Sequence, residues 1–217
     1  MKKKLWLIPF FAGIALILSA AGLCIHNFRE NSKAFEHSQE VMTELRKLIP
    51  EIPPTAASST VNAEPPSEDL FAQYETPTEP VSEMHTLNID GEAYCGYITI
   101  PALDLELPVM NNWSYERLRS SPCRYSGTAE GCDLMIAAHN YNSHFGRISS
   151  LSQGDELTFT DTDGIQYRYR VEYSETIEGR DVEQMFSGGS SEWDLTLFTC
   201  TLSGRSRVTV RASLIKE

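Results

Sequence analysis

The chain has 217 residues, a formal net charge of −12 at neutral pH, and 41% hydrophobic residues. A nucleic-acid-binding protein needs a basic surface to contact phosphate groups. The basic residues of this sequence form no run beyond the three lysines at positions 2–4. The composition therefore excludes nucleic acid as a partner and is compatible with one domain plus accessory segments.

A long apolar run follows these lysines. Residues 5–25 are 21 residues without a charge, and at about 1.5 Å per helical residue they span the roughly 30 Å hydrocarbon core of a bilayer. The lysines favour the cytoplasmic side, which places the rest of the chain outside. The alternative is a cleaved signal peptide with Ser19 and Ala21 before the cut. Because apolar sequence continues to Ile25, we expect an uncleaved membrane anchor over residues 1–26.

Two accessory segments come next. Residues 27–50 predict a polar helix with a partial apolar stripe, which we interpret as a solvated stalk. A weak coiled-coil or partner-binding role stays open. The apolar residues of the stripe are Phe35, Val41, Met42, Leu45 and Leu48. Residues 51–85 contain seven acidic residues and six prolines but no lysine or arginine. Such a segment predicts a disordered spacer, long enough to tether a domain away from a membrane.

Residues 86–217 have the pattern of one compact β domain, in which short apolar runs alternate with Gly, Pro, Asn and Asp. Period-two alternation runs from Gly96 to Pro101 and on through Leu107, and Asp161 to Gly164 are typical of a hairpin turn. Short helices are expected near 115–120 and 145–151. Further strands are expected at 133–138, 156–161, 165–173, 195–200 and 207–214. Strands this closely spaced predict an all-β fold, a small closed barrel with short helices.

The last two predicted strands bring a cysteine and an arginine together. Leu195 and Leu197 are the natural core residues of the first strand, so Cys200 points away from the core. By the same alternation the Arg207 side chain also points away from the core. A hairpin between the two strands then makes Cys200 and Arg207 neighbours on this outer face. A thiolate nucleophile beside a permanently charged guanidinium, which can stabilise an oxyanion, indicates thiol-based acyl transfer.

Acyl transfer also needs a proton donor for the leaving amine. Three of the five histidines lie in the anchor, the stalk and the spacer, which leaves His139 and His144. His139 directly follows a buried strand and is the preferred acid and base, with His144 as the fallback. Among the competing arginines, Arg205 falls in the hairpin loop, and Arg211 lies about 13 Å further along the strand at roughly 3.3 Å per residue.

With these residues, the region from 94 to 214 resembles a sortase, the cysteine transpeptidase of Gram-positive bacterial surfaces. The block Thr-Leu-Phe-Thr-Cys at 196–200 is specific, while the other motifs are individually weak but occur in the family's order. They are Gly-Tyr-Ile-Thr-Ile-Pro at 96–101, Leu-Pro-Val at 107–109, Ala-His-Asn at 138–140, Phe-Gly at 145–146, Gly-Asp at 154–155, and Arg207 with its apolar strand. The anchor and spacer match the family's usual architecture.

The resemblance implies a reaction and its partners. Cys200 would attack the Thr–Gly bond of a Leu-Pro-any-Thr-Gly sorting signal on a surface protein, with His139 as general acid and base and Arg207 at the oxyanion. The acceptor amine would belong to a peptidoglycan precursor or a pilin. No metal or organic cofactor is required. The residues expected to contact the substrate are Thr196, Thr199 and Asn140.

Several alternatives stay open at this point. Water instead of an amine would make the chain a thiol protease, and a groove without turnover would make it a binding module. A cell-wall L,D-transpeptidase is excluded because the Ser-His-Gly run before its cysteine is absent. The short stretch from Val171 to Leu195 disfavours the long helical insertion of a class B sortase. Outside the membrane segment, Cys95, Cys123, Cys132 and Cys200 allow a disulfide, whose pairing the sequence does not fix.

Overall fold

The computed structural model describes residues 7–51, 84–179 and 193–216. Within them the chain forms one α-helix, α1 (Leu7–Leu48), and nine strands. Most of the predicted spacer, and the middle of the stretch from Val171 to Leu195, lie outside the described residues. The strands are β1 (Leu87–Ile89), β2 (Glu92–Ile100), β3 (Leu105–Met110), β4 (Cys123–Ser126), β5 (Leu134–Ala138), β6 (Glu156–Asp161), β7 (Gln166–Glu178), β8 (Leu195–Cys200) and β9 (Ser206–Leu214).

Eight of the described strands close into a barrel, which confirms the predicted fold. Their order is β2-β3-β4-β5-β8-β9-β7-β6, and β6 pairs back with β2. The strand β1 adds to the outer edge of β2 as a hairpin. The barrel interior is filled by apolar side chains from all around the sheet, among them the fully buried Ile98, Ile136, Phe159, Leu197 and Val210.

Gly96 allows β2 to pair on both sides and so close the barrel. It lies opposite Val109 of β3 and Asp161 of β6, next to a bulge in β2. Its φ is +148°, and a Cβ at this position would lie 2.1 Å from the carbonyl oxygen of Thr160. Only glycine tolerates this approach of two backbones, so the glycine of the first motif has a structural role.

The turns refine the predicted elements. The alternation expected from Gly96 through Leu107 is interrupted, because Pro101 begins a 3-10 turn (Pro101–Leu103) and Asp104 adopts a left-handed conformation. The two expected short helices are also 3-10 turns, Arg117–Arg119 and Ile148–Ser150. The hairpin after β6 forms as expected, and the Asp161 carboxylate accepts the backbone N–H groups of Asp163 and Ile165 at 3.0 and 2.9 Å.

The helix α1 is continuous from the apolar run into the predicted stalk. By length and composition its first part could cross a membrane, with a mean hydropathy of 1.8 in its most apolar window. Its 42 residues correspond to about 63 Å at roughly 1.5 Å per residue. The predicted helical character of residues 27–48 is therefore present, but as one rod with the anchor.

The second half of α1 is not a solvated stalk, and that prediction is wrong. Val41, Met42, Leu45 and Ile49 lie on one helical face and are buried, Leu45 completely. They pack against Ile89, Tyr94, Met110 and Cys123 at the start of the β domain. Arg46 adds an ion pair with Glu106 of β3. The narrow apolar stripe of the helix is buried because apolar residues on one side of the barrel pack against it.

The position of the spacer in the chain follows from this contact. Ile49, just after the helix, and Tyr94, in the second strand, belong to the same packed cluster. Both ends of the segment between them are therefore attached to one body. The helix contacts the barrel directly, in addition to its covalent connection through the spacer.

Candidate active site

The predicted site lies on three adjacent strands. The central strand β8 pairs with β5 in parallel and with β9 antiparallel. In the parallel ladder Ala138 lies opposite Thr199. His139 directly follows Ala138, and Cys200 directly follows Thr199. In the antiparallel ladder Cys200 lies opposite Arg207. Since neighbouring strands are about 4.8 Å apart, the backbone places Cys200 between His139 and Arg207.

Cys200 is the last residue of β8 and its side chain is exposed. By strand alternation it shares the outer face with Thr196 and Phe198, as expected. That face is not open along its whole length, because Phe198 is 8% exposed and packs edge-on against Tyr125, with ring centroids 5.2 Å apart. Access to the outer face therefore begins at Cys200.

Arg207 is held by its own hairpin. Its Nη1 donates to the carbonyl oxygens of Gly204 and Ser206, both at 3.1 Å. Gly179, directly after β7, closes against the same hairpin, and its N–H donates to the Arg205 carbonyl at 2.8 Å. A Cβ on Gly179 would lie 3.1 Å from Nη1 of Arg207. The guanidinium is thus fixed by backbone groups on two sides.

His139 lies directly beyond β5, exposed but with one ring face covered. Its imidazole stacks on Tyr141 with centroids 4.1 Å apart and planes 19° apart. This partial burial lowers the pKa of His139, and the positive charge of Arg119 lowers it further. A lowered pKa keeps the imidazole neutral at physiological pH and able to accept a proton.

His144, the fallback histidine, is fully buried. Both of its ring nitrogens are buried without a hydrogen-bond partner among the described residues. Burial, together with the positive forms of His139 and His37, lowers the pKa of His144 to about 4. A ring without solvent access cannot exchange protons with a substrate, so His139 is the accessible one of the pair.

The three residues expected to contact substrate have different environments. Thr196 is buried and its hydroxyl accepts from Nη1 of Arg211 at 2.8 Å. Thr199 is also buried, and its hydroxyl donates to the Ala138 carbonyl at 2.8 Å, which links β8 to β5 beside the site. Asn140 is partly exposed, and its amide oxygen would lie 3.1 Å from a Cβ on Gly146. Their substrate roles stay predictions.

The other two arginines considered for the role of Arg207 lie in different environments. Arg211 is fully buried, with its guanidinium 4.4 Å from the ring centroid of Trp193 and 3.2 Å from the Glu175 carboxylate. It therefore stabilises the sheet. Arg205 is exposed in the hairpin.

The other cysteines are free thiols. Cys95 and Cys123 are buried, and burial raises the pKa of each to about 12, which makes them poor nucleophiles. Cys132 is partly exposed. Among the described residues no group of three or more His, Cys, Asp or Glu side chains could hold a metal ion.

Sequence reasoning missed two residues that shape the site, Tyr141 and Gly179. Tyr141 covers His139 from two positions further along the chain, and Gly179 follows the end of a long strand. Stacking across a turn leaves no periodic signal, and a lone glycine after a strand predicts only a strand end. Neither contact was therefore accessible without the fold.

The described strands thus place an exposed cysteine between a histidine and an arginine on a closed eight-stranded barrel. The Sortase domain family model matches residues 98–215, more than half of the chain. The chain therefore belongs to the sortase family, whose members are cysteine transpeptidases. None of the curated proteins matches it.

Solved sortases share this fold. Sortase C1 from Streptococcus agalactiae is 26% identical, with a TM-score of 0.51 over 60% of this chain and 72% of that one. Sortase A from Corynebacterium diphtheriae is 21% identical, with a TM-score of 0.51 over 58% of this chain and 62% of that one. Sortase C from Clostridium perfringens is 21% identical, with a TM-score of 0.50 over 62% of this chain and 73% of that one. At 21% identity the last two likenesses concern the fold alone.

Proposed function

We propose that this protein is a membrane-anchored cysteine transpeptidase that cleaves a Leu-Pro-any-Thr-Gly type sorting signal between Thr and Gly. It then transfers the acyl group to an amine of a cell-wall precursor or a pilin. The observation that carries the proposal is the register of three strands, in which Cys200 lies between His139 and Arg207. Membership of the sortase family supports the substrate class.

In the first half-reaction the Cys200 sulfur forms a bond to the threonine carbonyl carbon, and the carbonyl electrons move to oxygen. The guanidinium of Arg207 donates hydrogen bonds to this oxyanion. When the carbonyl re-forms, the carbon–nitrogen bond to glycine breaks and protonated His139 donates a proton to the leaving amine. The products are a thioester on Cys200 and a peptide with a free N-terminal amine.

In the second half-reaction the acceptor amine attacks the thioester carbon. Neutral His139 removes a proton from the attacking nitrogen, and Arg207 again stabilises the oxyanion. Collapse forms the new amide, and the sulfur leaves and takes up a proton. A lowered pKa of His139 suits this step, because the imidazole is already a free base. Only a minority of molecules then carry the thiolate–imidazolium pair, as is common in sortases.

The test is an amine-dependent transfer assay with the full chain in detergent micelles, a sorting-signal peptide and a glycine-based amine. We expect a transfer product that vanishes in Cys200→Ala. Hydrolysis at the same bond with no amine product would make the chain a thiol protease. Peptide binding with neither product would make it a silent binding module.

We further propose that residues 1–26 remain attached as a single-pass anchor, with the β domain on the outer side of the membrane. The apolar first part of α1 and its continuity with the docked second part support this arrangement. The test is the intact mass of the protein extracted from membranes. Loss of a mass corresponding to about the first twenty residues, the length of a signal peptide, would contradict an anchor.

A further inference from the structure

The turn that carries His139 is held by different contacts at its C-terminal end and at its tip. We call residues 139–146 the histidine loop. Its second half is anchored by Phe145, which is fully buried in the barrel core and donates its N–H to the His139 carbonyl at 3.3 Å. The Tyr141 carbonyl accepts the N–H groups of His144 and Gly146 at 2.9 and 2.8 Å. These bonds close the loop on itself and leave its tip at Ser143.

The tip is held by the N-terminal helix. The Oδ1 of Asn31 in α1 accepts the backbone N–H of Ser143 at 3.1 Å and the Ser143 hydroxyl at 3.1 Å. The same hydroxyl lies 3.3 Å from the Asn31 carbonyl oxygen. Ser143 is 8% exposed in this arrangement. Two side chains 112 positions apart thus form one compact contact between α1 and the histidine loop.

The helix is fixed to the barrel at a second place, so this contact is not isolated. Leu45 is completely buried against the β domain more than three turns after Asn31. Between the two, Ala34 and Ser38 are buried at 3% and 0% exposure, and the His37 ring lies 3.4 Å from the Tyr94 hydroxyl. A helix attached along this length presents Asn31 to the loop at a fixed position.

Charged and titratable groups surround His139 from several elements. Its own loop contributes Tyr141 and His144, and Arg119 approaches from the 3-10 turn before β4. Cys200 and Arg207 lie on the side of β8 and β9. From α1, the Glu30 carboxylate acts electrostatically on both Tyr141 and Arg119. A charged group of the helix thus lies near the tyrosine that covers the imidazole.

We infer that the second half of α1 is a part of the catalytic apparatus, and that Asn31 is a positioning residue that holds the histidine loop so that Tyr141 stays stacked on His139. The inference rests on the proposed function, because His139 is the acid and base of that reaction. It deepens that function by assigning a role to a segment before the family domain, which begins at residue 98.

The alternative is that the Asn31–Ser143 contact only adds stability. A stabilising contact changes the fraction of folded protein but leaves the turnover of folded molecules and the titration of His139 unchanged. A positioning contact changes both. A shift of a reacting group by about 1 Å can lower a rate by up to about a hundredfold, whereas substrate affinity is expected to hold because Asn31 lies outside the strands β5, β8 and β9.

The experiment compares three variants of the full chain in detergent micelles. Asn31→Ala removes the acceptor, and Asn31→Asp keeps an oxygen at the same place. Gln39→Ala, on the exposed side of the same helix, is the matched control. Transfer kinetics give kcat and KM, and NMR of histidine-labelled protein, assigned with His139→Gln, gives the titration of the His139 ring.

For Asn31→Ala we expect kcat to fall by roughly tenfold or more with KM for the peptide unchanged. We also expect the His139 midpoint to rise toward the ordinary value of about 6.5, since the ring loses its cover. Asn31→Asp restores kcat, and Gln39→Ala matches the parent in both measurements. Equal values for Asn31→Ala and Gln39→Ala, or a loss confined to thermal stability, would overturn the inference.

The two proposals fail differently. If no variant, including the parent, forms thioester or transfer product, the proposed function is wrong. The ring titration still decides the positioning role in that case, because it needs no turnover. If the parent is active and Asn31→Ala keeps both the parent's transfer rate and the parent's His139 titration midpoint, only the positioning role is wrong.

Discussion

Cys200 lies opposite Arg207 across the antiparallel pair of β8 and β9, one residue beyond the last pair of the β5–β8 ladder, Ala138 and Thr199. Further along the same outer face the side chains are buried, down to Arg211 at 0% exposure. Cys200 and Arg207 are thus paired across the two strands where this face becomes accessible. The proposed chemistry depends on that position.

Arg207→Lys tests the oxyanion role. Lysine keeps the charge but loses the planar set of donors, so we expect kcat to fall by roughly a hundredfold, the usual effect of removing one oxyanion donor. Arg205→Lys in the same hairpin is the control, and its rate should stay within about twofold because its side chain is exposed. The assay is peptide transfer at saturating amine. Equal rates for both variants would show that Arg207 does not act at the oxyanion.

Gly179→Ala tests how Arg207 is held. The new Cβ would lie 2.7 Å from the Arg205 carbonyl oxygen and 3.1 Å from Nη1 of Arg207, so the hairpin must shift. We expect transfer activity to drop by roughly tenfold, as for other small displacements of a catalytic group. Glu178→Ala, at the exposed neighbouring position, should leave the rate unchanged. Parent-like kinetics in Gly179→Ala would mean that the hairpin absorbs the methyl group without moving Arg207.

Because His144 is buried, we expect the free energy of unfolding to decrease at acidic pH. Its pKa is lowered to about 4 in the folded protein from an unfolded value of about 6.5. Between these two values the unfolded chain binds a proton that the folded chain does not, so the free energy of unfolding decreases as pH falls. One proton contributes about 1.4 kcal/mol per pH unit, or roughly 3 kcal/mol in all.

The measurement is urea unfolding of the parent and of His144→Leu between pH 7 and pH 4. The leucine variant removes a ring whose nitrogens have no partner in the described structure. We expect its stability to decline less steeply over this window, and its transfer rate at pH 7 to persist. Parallel curves would assign the acid sensitivity to other groups, and loss of turnover with intact folding would return His144 to the reaction.

The docking of α1 is tested by two leucines one turn apart. Leu45 is fully buried, whereas Leu48 is 53% exposed. Leu45→Ala should cost about 2–5 kcal/mol of helix docking or folding, and Leu48→Ala should change little. Limited proteolysis after residue 49 and thermal unfolding of the full chain report the difference. Equal behaviour of the two variants would restore the solvated stalk.

The closed barrel and the opposition of Cys200 to Arg207 could be predicted because both depend on local rules. Alternation along a strand assigns faces, and a short hairpin fixes which residues meet. The docking of α1 could not be predicted, because Val41, Met42 and Leu45 form a stripe whose partner surface lies some fifty residues further on. The brace from Asn31 to Ser143 joins positions that no periodicity relates.

The central claim is that Cys200 forms a thioester with a sorting signal. The most direct test is the intact mass of the full chain after incubation with a Leu-Pro-any-Thr-Gly peptide and acid quenching, with and without a glycine-based amine. We predict an adduct equal to the peptide up to its threonine, lost on addition of the amine and absent in Cys200→Ala. A parent protein that binds the peptide but never gains this mass, or an adduct that persists in Cys200→Ala, would contradict the account.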